Sequence, residues 1–228
     1  MALKIVRIHN ELLGTYGDRG NADVLAYRAG LAGISSTVID ISYRDALPSD
    51  ADIYLMGGAE DAAQVLSCNA LSSGSLHGAV EKGAVLLAIC AGFQILGKSF
   101  YANGEEIRGL GLLNIRTEPG SQRYVGDIKV HSELLGVDLT GFENHGGKTI
   151  LESGTTPFGT VVVGDGNGVA EIDGAITGNI FGTYLHGPIL ARNPEFADLL
   201  LSRALGAPVS VVDPLANEYA QLRRKVVK

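Results

Sequence analysis

Cys90 ends the apolar run Val85–Ile89 and is followed by Ala91, Gly92 and a helix-like segment, Phe93–Gly97. A cysteine at a tight strand-to-helix turn, flanked by small residues, is the layout of a nucleophile elbow. Ala88 and Gly92 leave room for the turn, and the following helix offers free N–H groups and its positive end to a thiolate or an oxyanion. A free buried cysteine is also an ordinary core residue, and this segment alone leaves the two readings even. A thiol nucleophile needs a base. Of the five histidines, His186 follows an apolar strand in FGTYLHGP, where it can face Cys90 across a sheet. His145, in ENHGG, is its rival; His9, His77 and His131 read as structural or exposed. The pair Gly57–Gly58 permits close approach of a backbone N–H to a reacting carbonyl. Gly58 and Ala91 would then supply the two oxyanion donors.

The elements that must position these groups alternate between strand and helix. Leu3–His9, Thr37–Ile41, Ile53–Met56 and Ala84–Ile89 read as strands; Asp23–Leu31 and a stretch from about Ala62 read as helices. Short apolar strands separated by helices predict a parallel sheet covered on both faces. Three loops fall at the carboxyl ends of its strands, where such sheets bind ligands: GTYGDRGN, GGAED and CAGFQ. Their convergence raises the catalytic reading of Cys90. The second half is rich in Gly and Thr. It predicts short, partly antiparallel strands near Gly111–Arg116, Tyr124–Val130, Gly159–Val163, Ala175–Thr177 and Ile180–Tyr184. Helical periodicity returns over Pro194–Leu205 and Pro214–Lys225. One domain over residues 1–228 is expected, with a core over about 3–206 and a helical tail over about 207–228.

Composition narrows the function classes. The chain has 228 residues, 46% of them hydrophobic, and a net charge of −7. It suits a compact globular protein and disfavours nucleic acid as a ligand. Its one basic cluster, Arg223, Arg224, Lys225 and Lys228, reads as a solvated helix end. Two distant cysteines, Cys68 and Cys90, suggest neither a disulfide scaffold nor a metal site, and Cys68 reads as structural. The opening MALKIVRIHN reads as a strand, and no apolar run approaches a membrane span. A cytoplasmic location without membrane insertion is expected.

AICAGFQILG, FGTYLHGP, the GG loop and the order Cys then His resemble the class I, cobyric-acid-synthase-like glutamine amidotransferase domains. TYGDRGN, GGAED, RYVGDI, GFENHGGKT and GTYLHGPIL are similar, more narrowly, to the glutaminase subunits of lipid II isoglutaminyl synthase. The resemblance runs from Asp18 to about Pro214. It implies an α/β, flavodoxin-like, mostly parallel sheet with helices on both faces and extra antiparallel strands. It also implies a reaction in which Cys90 attacks the side-chain amide of glutamine, His186 moves the protons, and Gly58 and Ala91 hold the oxyanion. Arg123, in RYVGDI, matches a position that the family uses to hold substrate; a guanidinium can clamp the α-carboxylate in a planar fork. Its alternative is a surface ion pair. Many class I glutaminases carry an acid two residues after the histidine. Here that position is Pro188, so Asp18 and Glu143 become the candidates for the third group, unless Asp18 merely caps the next helix.

Amide formation on a carboxylate needs ATP, and the chain has no phosphate-binding loop. The resemblance therefore implies no cofactor on this chain and a separate Mur-ligase-like subunit, of the MurT type. That partner would bind ATP, Mg and lipid II. Two alternatives stay open: a glutaminase serving another ATP-dependent amidoligase, and a cysteine hydrolase that does not act on glutamine. A partner subunit that kept the fold and lost turnover is a third.

Overall fold

The computed structural model describes residues 2–228. In chain order the first half forms β1 (Leu3–Ile8), α1 (Gly20–Leu31), β2 (Ser36–Ile41), β3 (Ile53–Met56), α2 (Asp61–Leu71), α3 (Ser75–Glu81), β4 (Val85–Ile89) and α4 (Ala91–Ile95). The second half forms β5 (Ser99–Ala102), β6 (Glu105–Arg108), β7 (Ile115–Ser132), β8 (Val137–Leu151), β9 (Gly159–Val163), β10 (Ile172–Asp173), β11 (Ala175–Thr177), β12 (Ile180–Thr183), α5 (Ile189–Arg192), α6 (Pro194–Leu205) and α7 (Pro214–Val226).

β3, β4 and β12 are buried at every position. Strands this uniformly apolar need cover on both faces, and they lie inside a six-stranded sheet of order β11-β12-β4-β3-β1-β2. Its pairings are parallel except for β11 against β12. The order β2-β1-β3-β4-β12 is that of flavodoxin-like sheets, which bind ligands beyond the carboxyl ends of the strands. Asp18 follows β1, Gly57 and Gly58 follow β3, Cys90 follows β4 and His186 follows β12. One edge of the sheet thus receives all four segments. Close packing on this sheet depends on Gly182 of β12: a Cβ there would overlap the ring of Phe93, which is fully buried.

Of the strands expected in the second half, β11 and β12 join this sheet as additions to the core, and the others make a second one. Its order is β10-β9-β7-β5-β6, with β8 paired to β7. β7 and β8 run antiparallel from Ile115↔Leu151 to Ser132↔Val137, with the register broken between Pro119 and Tyr124. The two sheets meet at His186. Its N–H donates to Phe142 O at 2.8 Å, and the Phe142 N–H donates to His186 O at 3.1 Å. A side-chain tie lies nearby, 2.6 Å between Thr149 Oγ1 and Tyr184 Oη. Near the C-terminus, α7 is capped by Asp213, which accepts from Ala216 N–H.

Candidate active site

The turn after β4 forces Cys90 to φ 52°, ψ −109°, a conformation that costs a non-glycine residue on the order of 1–3 kcal/mol. The surroundings hold it there. The Cys90 N–H donates to Thr183 O at 2.9 Å, and the Gly92 N–H donates to Gly57 O at 3.1 Å. A Cβ on Gly92 would come within 2.8 Å of Met56 Cβ, so only glycine lets α4 start this close to β3. The sulfur lies 4.0 Å from Asn144 O and on the wall of a cavity of about 290 Å³.

His186 and Asp18 form a buried pair near the sulfur. Both are almost fully buried, and His186 Nδ1 is 2.8 Å from Asp18 Oδ2. That contact fixes the proton on Nδ1 when the ring is neutral and leaves Nε2 for the thiol. Nε2 has no hydrogen-bond partner in this resting geometry. Burial pulls the His186 pKa down, but the Asp18 carboxylate and the Cys90 sulfur outweigh it and push the value up to about 10. The environment therefore favours an imidazolium beside the sulfur.

Asp18 is not a helix cap. α1 begins at Gly20, three residues before the expected start, and has no side-chain cap. Asp18 Oδ2 instead accepts from the Gly58 N–H at 3.1 Å. The Gly58 N–H expected in the oxyanion hole is thus engaged by a carboxylate in this resting geometry. The glycines at 57 and 58 serve space: a Cβ on Gly58 would lie 2.7 Å from His186 Cε1 and 2.9 Å from Tyr16 Cδ2. The N–H groups of Ala91 and Ala59 make no hydrogen bond among the described residues, and both residues line the cavity. They are the donor pair this geometry leaves available.

The other sequence candidates part company. Glu143 is buried away from His186 and accepts from the N–H groups of Asp165 at 2.8 Å and Gly166 at 2.9 Å. His145 lines the cavity, but its ring stacks on Tyr184 at 3.6 Å and its Nδ1 donates to Gly147 O at 3.0 Å. His9 pairs with Ser67, His77 with Leu110 O and His131 with Asp138. Cys68 is buried and donates to Arg108 O, and burial pushes its pKa up.

Arg123 stands at the register break of β7, exposed, on the cavity rim. Its Nε donates to Asn144 Oδ1 at 2.7 Å, and its outer nitrogen lies 3.5 Å from Tyr16 Oη. It has no carboxylate partner among the described residues, so the surface ion pair that was its alternative does not form. Residues missed in the sequence complete the site. The Tyr16 ring packs 4.6 Å from His186. Below the cavity, the Gln64 amide donates to Gln94 Oε1 at 2.8 Å and the Gln94 amide donates to Tyr184 Oη at 2.9 Å. Gln94 was within reach of sequence reasoning, since it lies one helical turn past Cys90.

A cysteine beside a buried histidine–aspartate pair, with free N–H groups and a cavity roomy enough for an amino acid, suits nucleophilic cleavage of an amide or ester. A sequence model of the CobB/CobQ-like glutamine amidotransferase domain matches residues 4–194. The chain belongs to that glutamine amidotransferase family. Among similar proteins, the lipid II isoglutaminyl synthase (glutamine-hydrolyzing) subunit GatD of Streptococcus pneumoniae is 38% identical over 209 residues, 89% of this chain and 80% of that protein. The subunit GatD of Staphylococcus aureus is 39% identical over 207 residues, 89% and 84% of the two chains. A solved glutamine amidotransferase from Thermotoga maritima superposes with a TM-score of 0.60 at 18% identity, covering all of this chain and 94% of that one. That likeness is one of fold. No helix among the described residues is long and apolar enough to cross a membrane.

Proposed function

We propose that this chain is the glutamine-hydrolysing subunit of a lipid II isoglutaminyl synthase. It releases ammonia from glutamine for a separate ATP-dependent ligase. The observation that carries the glutaminase chemistry is the buried His186–Asp18 pair beside Cys90, with 2.8 Å between Nδ1 and the carboxylate.

The thiolate of Cys90 attacks the amide carbon, and the carbonyl oxygen becomes an oxyanion that accepts from the Ala91 and Ala59 N–H groups. His186 gives its Nε2 proton to the amide nitrogen, the C–N bond breaks, and ammonia leaves a glutamyl thioester. His186, now neutral, takes a proton from water as the water attacks the thioester. Glutamate departs, and the thiolate and imidazolium are restored. Asp18 holds the ring and its charge through both halves. Arg123 receives the α-carboxylate at the rim, where its guanidinium has no carboxylate partner and the Tyr16 hydroxyl lies nearby.

The partner in this reading is a Mur-ligase-like chain of the MurT type. It binds ATP and Mg, activates the α-carboxylate of D-glutamate in the lipid II stem peptide, and yields D-isoglutamine in cell-wall synthesis. Similarity to the two GatD subunits over most of both lengths supports this over another amidoligase. The test supplies the purified pair with ATP, Mg, lipid II and glutamine labelled at the amide nitrogen. Label should enter the stem-peptide amide. Turnover of glutamine with no label in lipid II would sink the ligase assignment. No turnover at all, with or without the partner, would sink the glutaminase assignment.

A further inference from the structure

The outer face of α7 is unpartnered and apolar. Leu215, Tyr219, Leu222 and Val226 are 63%, 55%, 47% and 70% exposed. Their spacing of four, three and four residues places them on one stripe of a 3.6-residue helix. The stripe is not a frayed tail. On the opposite face Ala220 is buried, Arg224 donates to Glu195 Oε2 and Asp138 O, and Lys129 Nζ holds Val227 O at 2.8 Å.

Cations border the stripe. At 100° per residue, Arg223 and Lys225 lie on opposite sides of its midline, each about 80° away. Neither makes a salt bridge among the described residues, and Lys228 follows beyond. Arg223 is close enough to another cation, Arg192, to help burial pull the Arg192 pKa down. Glu218 is the one acid on this side of the helix. Such a local excess stands out on a chain of net charge −7.

We propose that this face seats the chain on an anionic lipid surface, with α7 lying flat in the headgroup layer. A narrow apolar stripe with cations along both borders is the pattern of an interfacial helix: the stripe meets acyl chains while the cations meet phosphates. A second copy of this chain would bring the same cations face to face. A protein partner favours an apolar centre from which lysine is depleted, and the stripe is one residue wide with Lys225 at its border. The argument stands on α7 alone and does not depend on the glutaminase reading.

The test is co-sedimentation of the full chain, alone and with its partner subunit, with vesicles of phosphatidylglycerol and with vesicles of phosphatidylcholine. Binding is expected to the first and not the second, and to weaken as salt rises. Leu222→Glu should abolish it. Lys225→Glu should weaken it by more than fivefold, since removal of one cation alone costs roughly that factor. Val162→Glu, an exposed substitution on β9, should leave it unchanged. Glutamine hydrolysis should survive in every variant, which shows that each has folded. No binding to phosphatidylglycerol vesicles, or equal binding by Leu222→Glu, would overturn the proposal. So would Leu222→Glu chains that lose the partner subunit while no form of the chain binds vesicles; α7 would then be a protein interface.

Discussion

Asp18 and His186 are 168 residues apart in the chain and 2.8 Å apart in space. The contact joins the loop after β1 to the end of β12 and sets the charge of the catalytic ring. Asn at position 18 keeps an acceptor for His186 and for the Gly58 N–H but removes the charge. Asp18→Asn should therefore cut kcat at least about tenfold while Tm moves little. The sign of the pH effect follows from the raised His186 value. The imidazolium is present below about 10 and lost above it, so the alkaline limit of activity should move to lower pH in the variant. A kcat–pH profile identical to wild type would reduce Asp18 to a structural residue.

Cys90→Ser should lose glutamine-driven amidation and keep amidation driven by added ammonium salt in the assembled complex. In the proposed division of labour the thiol acts on glutamine alone. Loss of both activities in an intact complex would show that the two chemistries are not divided between subunits.

Arg123 was expected as a clamp, and its exposure on the rim limits what it contributes. A hydrogen bond to a charged group is worth roughly 1.5–3 kcal/mol, and water at the rim favours the low end. Arg123→Ala should raise the glutamine KM roughly tenfold with a smaller change in kcat. Arg123→Lys should recover part of it, since a single ammonium cannot form the planar fork. Equal KM values in wild type and Arg123→Ala would remove Arg123 from the site.

Asp173 is fully buried behind the strand end that carries His186, accepting from the Thr183 hydroxyl and from the Tyr184 N–H. Burial raises its pKa from 3.8 to about 7. The folded chain keeps a proton that the unfolded chain releases, so stability falls as pH rises across that window. In Asp173→Asn the amide oxygen can accept from the Tyr184 N–H while the NH2 donates to the Thr183 hydroxyl, and the side chain cannot ionise. Tm should then lose this pH dependence and exceed the wild-type value above neutrality. Parallel Tm–pH curves for the two proteins would show that Asp173 does not titrate there.

The sequence was most legible where one physical signal dominated. Ile53–Met56 and Pro194–Leu205 fall as expected, because an unbroken apolar run and a proline-started helical period each leave little choice. The second sheet was least legible. β8 is interrupted by Gly141, Gly146 and Gly147, β7 contains Pro119, and neither keeps a clean alternation. Both owe their length to pairing with each other, a property of neither segment alone. In the candidate site, Cys90 and His186 fall just after the strands β4 and β12, where the apolar runs placed them. The engagement of the Gly58 N–H was not, because it depends on where Asp18 lands after forty residues of chain.

His186 is also where the two sheets are stapled, through its own N–H and C=O to Phe142. Its ring answers to the loop after β1, and its peptide answers to β8. The proton carrier is thus a pivot held from both sides. Any rigid tilt of the second sheet carries β8 along and pulls on that peptide directly, with no relay of side chains between. The placement of the His186 ring is therefore set jointly by both sheets, through two backbone hydrogen bonds on one side and one carboxylate on the other.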